Sequence, residues 1–249
     1  MPSDCTSERP TCEAQGLASG VTARRRVVVL PGFDGSPALL AGFARSAPAW
    51  AEVTVWGLPD EPVASYADLA EHFRPRLRDV GPCLLLAESF SGPAAVLLAG
   101  RAADTVRGLV LCNSFIRRPP LLPPLAPWWL LARVAPPRPL VRGLMTGGDD
   151  AVAGQVVAAL REVRPRTLAA QFRLLATADV RREFAALAGP VLLLHGTRDR
   201  LVGPGALTLM RRTLPRAAVV ELPAPHLAWQ TQPAAAWAGM AAFLSAGRA

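Results

Sequence analysis

An α/β fold with a mainly parallel sheet flanked by helices is what this sequence predicts, on three observations. Six short, largely apolar runs recur at residues 27–30, 53–56, 83–87, 106–111, 191–194 and 218–222. A strand that is apolar on both faces belongs in a sheet covered on both sides. Helical periodicity fills most of the gaps, and strand–helix alternation winds a parallel sheet. The 249 residues, 51% hydrophobic, suffice to bury such a core without disulfides, and this content excludes a disordered or low-complexity chain.

Each helical segment has its own start or stop signal. Ser36 supplies an N-cap and Pro37 the first helical position, opening a helix over 38–45. Ser65 caps a segment that puts Tyr66, Leu69, Phe73 and Leu77 on one face, and Pro75 is expected to end or kink it. Helices over 92–100, 204–214 and 233–244 follow the third, fifth and sixth strands. The alternation breaks once, over 115–186, which carries no strand signal. This part opens with the Pro- and Trp-rich run 118–139 and continues into helical patterns at 151–163 and 167–176. It is too long for a simple crossover, so it is expected to be a helical cap inserted between the fourth and fifth core strands. The organisation is then a polar tail at 1–25, core at 26–114, cap at 115–186 and core again at 187–249.

Composition narrows the function classes. The formal net charge is +8, every one of the 27 basic residues is Arg, and these are scattered in short groups without aromatic interleaving. That is compositional bias and not a nucleic-acid face. The four cysteines, Cys5, Cys12, Cys83 and Cys112, lack metal-ligand spacing, so no metal site is expected. Cys83 and Cys112 sit in apolar runs as small core residues, and only Cys5 and Cys12 could form a tail disulfide. The polar N-terminus has no apolar signal segment. The longest uncharged apolar stretch, 119–132, holds five prolines and is too short to span a bilayer. A cytoplasmic protein is the simplest expectation.

Ligands in such sheets bind at the carboxyl ends of the strands, so chemistry is sought there. After the third strand comes Ala87-Glu88-Ser89-Phe90-Ser91-Gly92. A serine on a sharp strand-to-helix turn needs small residues two positions either side, which makes Ser89 the candidate nucleophile. Ser91 is its rival, but the bulky Pro93 stands two residues on. A serine needs a base, and imidazole is the usual one near neutrality. His72 lies within a helix and His195 ends the fifth strand. His226 sits four residues past the last strand, free to lean over the sheet. A carboxylate must hold that imidazole, and Asp199, after the fifth strand, is on the right edge. Asn113-Ser114 occupies the other place from which an acid could come. Two backbone N–H donors must stabilise an oxyanion: Phe90, and Phe33 in the turn Leu30-Pro31-Gly32-Phe33-Asp34-Gly35. Neither nucleotide-binding glycine motif is present, so no cofactor is expected.

The segments LPGFDGS, LLLAESFSGPAA, LLLHGTRDRLV and PAPHLAWQTQP, in this order, resemble the α/β-hydrolase superfamily and its small capped esterases, a group that includes the pimeloyl-carrier-protein methyl ester esterases. The resemblance covers 27–114 and 191–244, with LPG standing where HG is more common before the oxyanion residue, and with no antiparallel opening strands evident before Val27. It implies Ser89 as nucleophile, Asp199 as acid, His226 as base, and Phe33 and Phe90 as oxyanion donors.

The expected function is a cofactor-independent serine hydrolase cleaving carboxylic esters or thioesters through an acyl-enzyme on Ser89. Leu122, Leu125, Trp128 and Trp129 are expected to line the acyl pocket. Three alternatives stand beside it: an acyltransferase using the same triad, an esterase directed to an acyl carrier protein by Arg117, Arg118, Arg133, Arg138 and Arg142, and a non-catalytic binding protein.

Overall fold

The structure, a computed structural model, describes residues 24–119, 133 and 135–246. All six expected strands form: β1 (Arg25–Leu30), β2 (Ala51–Val55), β3 (Cys83–Glu88), β4 (Val106–Cys112), β5 (Val191–Gly196) and β6 (Ala218–Leu222). They pair in the order β2-β1-β3-β4-β5-β6, and every pairing is parallel. The register aligns the carboxyl ends, with Leu30 opposite Ala87, Glu88 opposite Cys112, and Gly196 opposite Leu222.

Alternation along the strands builds two cores. Val28, Leu30, Leu85 and Ala87 face one side, where α2 (Tyr66–Val80), α3 (Gly92–Arg101) and α8 (Pro204–Thr213) bury Phe73, Leu98 and Leu207. Val27, Val29, Leu84 and Leu86 face the other, covered by α1 (Ala41–Arg45), α9 (Ala228–Thr231) and α10 (Pro233–Ala246). There Phe43 is stacked between Trp229 at 5.0 Å and Trp237 at 4.5 Å, and the Trp237 indole donates to the Phe43 carbonyl.

The capping signals operate as expected, with two differences. Ser36 accepts the Ala38 N–H, but the first turn, Pro37–Leu40, is a 3₁₀ turn before α1 begins. Ser65 caps α2, which runs through Pro75 to Val80 and so corrects the expectation of a stop. Pro75 is on the exposed face, where the Glu71 carbonyl that loses its partner is open to water, while Leu69, Phe73 and Leu77 stay packed on the buried face. Cys83 and Cys112 are buried free thiols. Cys5, Cys12 and the polar tail up to residue 23 lie outside the described residues. Among the described residues no helix is long and apolar enough to cross a membrane.

Between β4 and β5 lie α4 (Arg138–Leu144), α5 (Asp150–Glu162), α6 (Pro165–Thr177) and α7 (Arg181–Ala185). The segment leaves and rejoins the core side by side: Arg118 N–H donates to Ala178, Val180 N–H donates to Ile116, and Arg117 bridges Asp179. α6 rests on the loop after β2, where Thr167 donates to the Asp60 carbonyl and Arg166 pairs with Glu61.

The tightest approach in the core is at the start of α3. A Cβ at Gly92 would stand 1.7 Å from Ser114 Oγ and 2.8 Å from its Cβ. Gly92→Ala is therefore predicted to cost about 1–3 kcal/mol by overpacking, read as a lower Tm, and Ser114→Gly in the same chain to restore part of it. An unchanged Tm in the single variant would show that β4 and α3 can separate freely.

Candidate active site

Ser89 opens the 3₁₀ turn Ser89–Ser91 between β3 and α3. Its φ is +46°, a left-handed conformation that costs a non-glycine residue about 1–3 kcal/mol and persists only where its surroundings over-determine it. They do so here: Ser114 Oγ donates to the Ser89 carbonyl at 2.7 Å, and the close packing at Gly92 fixes the next turn. The side chain is thereby aimed at the loop after β6, where His226 Nε2 lies 3.0 Å from Ser89 Oγ.

His226 is 1% exposed, and its Nδ1 is 2.9 Å from Asp199 Oδ2. Asp199 Oδ1 accepts the N–H groups of Leu201 and Val202 at 2.8 and 3.1 Å. Burial pushes the Asp199 carboxyl up, but the His226 imidazole and these two N–H groups together outweigh it and hold the group below its ordinary value. An ionised Asp199 only accepts, so Nδ1 carries the imidazole proton and Nε2 is left to accept from the Ser89 hydroxyl.

Asn113, overlooked as a functional residue in the sequence, fastens this arrangement. At φ +44°, just past β4, its amide donates to the carbonyls of Pro225 and His226 at 3.0 and 2.6 Å and its Oδ1 accepts the Gly196 N–H at 2.7 Å. The histidine loop is thus tied to two strand ends. It also lies so close that a Cβ at Gly196 would meet the Ala224 and Pro225 carbonyls at 2.5 and 2.6 Å. The only available signal was the residue type, since Asn tolerates the left-handed region better than most.

The rivals are placed elsewhere. Ser91 is fully buried and donates to the Pro31 carbonyl at 2.5 Å. His195 is buried in β5, paired with Glu221, and burial lowers its basicity. His72 is exposed on α2 with its ring against Phe73.

The turn after β1 is brought beside Ser89 by the Leu30–Ala87 pairing. Gly35 N–H closes it onto Gly32, at φ +71°. Phe33 meets Phe90 edge-on at 5.5 Å and Phe172 of α6 at 4.7 Å, so the two expected oxyanion residues are neighbours roofed by the inserted segment. Two further carboxyls, unanticipated, are buried here: Glu88, directly before Ser89, and Asp34, directly after Phe33. Leu122, Leu125, Trp128 and Trp129 lie outside the described residues. Among the described residues no group of three or more His, Cys, Asp or Glu could hold a metal.

A serine, an imidazole and a carboxylate in hydrogen-bond sequence, on the carboxyl edge of a parallel sheet, form an arrangement that can supply a nucleophile, its base and a group to orient that base. Known proteins share the frame. Solved structures similar to this one include the enol-lactonase from Burkholderia xenovorans LB400, with a TM-score of 0.79, 17% identity and coverage of 91% of this chain and 94% of that one. A thermophilic esterase from Thermogutta terrifontis aligns with a TM-score of 0.73, 21% identity and 90% coverage of each chain. These likenesses show an α/β-hydrolase fold. By sequence, the chain is 33% identical over 172 residues to the pimeloyl-[acyl-carrier protein] methyl ester esterase of Nitrosomonas europaea, a match spanning 58% of this chain and 65% of that protein's length. The family model described as serine aminopeptidase, S33, matches residues 40–222, a span that takes in Ser89, Asp199 and the helices between β4 and β5, and it is to this family of α/β-hydrolases that the chain belongs.

Proposed function

We propose that this protein is a carboxylic ester hydrolase that works through an acyl-enzyme on Ser89. The observation that carries the reading is the unbroken relay Ser89 Oγ–His226–Asp199 at 3.0 and 2.9 Å, mounted on a serine held at φ +46°. In the proposed reaction His226 Nε2 takes the Ser89 hydroxyl proton as Oγ attacks the ester carbonyl carbon. The oxyanion is met by the backbone N–H groups of Phe33 and Phe90, each such donor contributing about 2.7–4 kcal/mol to the transition state. His226 then gives its proton to the departing alkoxide. Water, activated by the same imidazole, releases the acid. A thioester would pass through the same steps.

The helices between β4 and β5 act in this reading as a cap, and the Phe172 ring over Phe33 would form part of the wall against the acyl group. A finer reading, that the ester is delivered on an acyl carrier protein, is supported by the similarity to the Nitrosomonas europaea esterase and by a groove beside Asp199 lined by Gly143, Gly147, Gly148, Arg198 and Arg200. Arg142 is exposed on α4, while Arg138 is already engaged with Asp150 and Arg117 lies beside Asp179.

The first test is fluorophosphonate labelling with turnover of p-nitrophenyl esters and aminoacyl anilides. Wild type should label on Ser89 and cleave esters. Ser89→Ala should lose labelling and about 10⁴-fold or more of kcat, with Ser91→Ala mild by comparison. Label on Ser91, or cleavage of anilides alone, would sink the reading. Replacing Asp199 by Asn keeps the shape but removes the charge that fixes the imidazole tautomer, so kcat should fall by about 10³–10⁴ with KM little changed. Equal losses in kcat and in 1/KM would point instead to a displaced substrate site. For the carrier reading, kcat/KM on a carrier-bound ester should exceed that on the free methyl ester and fall with salt. Equal values for the two, indifferent to salt, would remove the carrier protein from the proposal.

A further inference from the structure

Glu88 takes no part in the relay, yet it ends β3 one residue before Ser89 and is 1% exposed. Its Oε2 accepts from Gln230 Nε2 of α9 at 3.0 Å, while Oε1 is buried with no partner among the described residues. The Oε2 atom and Asp34 Oδ2 flank Gly32: a Cβ built there would lie 3.4 Å from the first and 3.6 Å from the second. Gly32 immediately precedes Phe33. One side chain thus bridges the serine's strand, the turn bearing the first proposed oxyanion donor, and the helix that follows the histidine loop.

We propose that Glu88 is a positioning residue that, with Gln230, struts the Phe33 turn against the Ser89 elbow, and that it does so as the neutral acid. An ionised carboxylate with a bare buried oxygen is costly, and the neutral acid removes the charge that makes it so. The groups that face it decide its state. Burial pushes Glu88 up to about 7; the Gln230 amide pulls down, Asp34 pushes up, and His226 and the Gly32 N–H pull down. Cys112 of β4 is a buried thiol pushed well up and so contributes no charge. Asp34 is itself raised to about 6, by burial foremost. With both carboxyls ionised, two like charges would meet across the turn and stand beside the position where the proposed oxyanion forms.

The inference rests on the hydrolase reading, so its test includes a measurement that needs no turnover. A folded-state pKa above the unfolded value means that the native protein binds more protons, so Glu88 lowers stability as pH rises from the ordinary carboxylate range through about 7. Glu88→Gln, which cannot ionise, should therefore gain in Tm over wild type with increasing pH between about 5 and 8. In turnover, Glu88→Ala should lose about tenfold to a hundredfold in kcat with KM little changed, and Glu88→Gln should recover most of it. Wild type should show an alkaline decline in kcat that Glu88→Gln lacks. Should Glu88→Ala not fold, Gln230→Ala serves: losing a donor that favours the ionised form should move the alkaline decline to higher pH. A Tm difference that is flat with pH overturns the neutral acid. The same alkaline decline in wild type, Glu88→Gln and Gln230→Ala overturns the strut. A wild type that neither labels nor cleaves esters overturns the hydrolase reading and the strut with it, leaving the Tm series to decide the neutral acid.

Discussion

A serine held against its own conformational preference is the constraint on which the rest of this structure depends. At φ +46°, Ser89 occupies a region that a non-glycine residue seldom adopts, and what restrains it is the parallel sheet. β3 stands between β1 and β4, every residue buried, and the chain leaves it through the short turn Ser89–Ser91 directly into α3. The Gly92 approach to Ser114 closes that turn, and Ser114 also returns a hydrogen bond to the Ser89 carbonyl. The strain is of order 1–3 kcal/mol, small against a two-sided core but enough to require each of these contacts. Packing energy distributed over the sheet is converted into one accurately placed hydroxyl.

The other site groups are held by a different means. Their loops lie at the sheet edge, where apolar packing ends, and the ties are hydrogen bonds in low dielectric, which are costly to leave unmade. Asn113 spends three bonds fastening the histidine loop to β5. Ser91 is fastened to Pro31, which makes a second hydroxyl of the elbow structural and ties the turn after β1 to the start of α3.

How much of this the sequence discloses depends on the range of the interaction. The six strands and the mainly parallel sheet were legible because helix-covered strands leave largely apolar runs, clearest in β3, which reads CLLLAE with no polar interruption until its last residue, and weaker in the edge strands β2 and β6, which stay partly exposed. That Ser89, His226 and Asp199 would meet was legible because strand ends locate loops, and loops after parallel strands gather at one edge. Pro75 misled because a local rule was applied without knowing which face of α2 met water. Asn113 and Glu88 escaped notice for a deeper reason. Their significance lies in partners 112, 113 and 142 residues away in sequence, and nothing in the local pattern distinguishes an Asn that clamps two loops from one that ends a strand.

The site also sorts its carboxyls by what they accept, not by how deeply they lie. Asp199 and Glu88 are both buried, yet the first is held below its ordinary value and the second pushed to about 7. Asp199 receives an imidazole on one oxygen and two backbone N–H groups on the other, so its charge is solvated by the protein. Glu88 leaves one oxygen bare beside another buried acid. Environments that push two acids apart assign them separate duties. In the proposed reaction a single negative charge then sits behind His226, where it stabilises the imidazolium that forms as Ser89 attacks. Glu88, as the neutral acid of the proposal above, adds none behind Phe33, and this leaves Asp34, raised to about 6, without a second charge beside it across the turn. The sheet that strains Ser89 also sets the places of these acids, since Glu88 ends β3 and Asp199 follows β5 at the same edge.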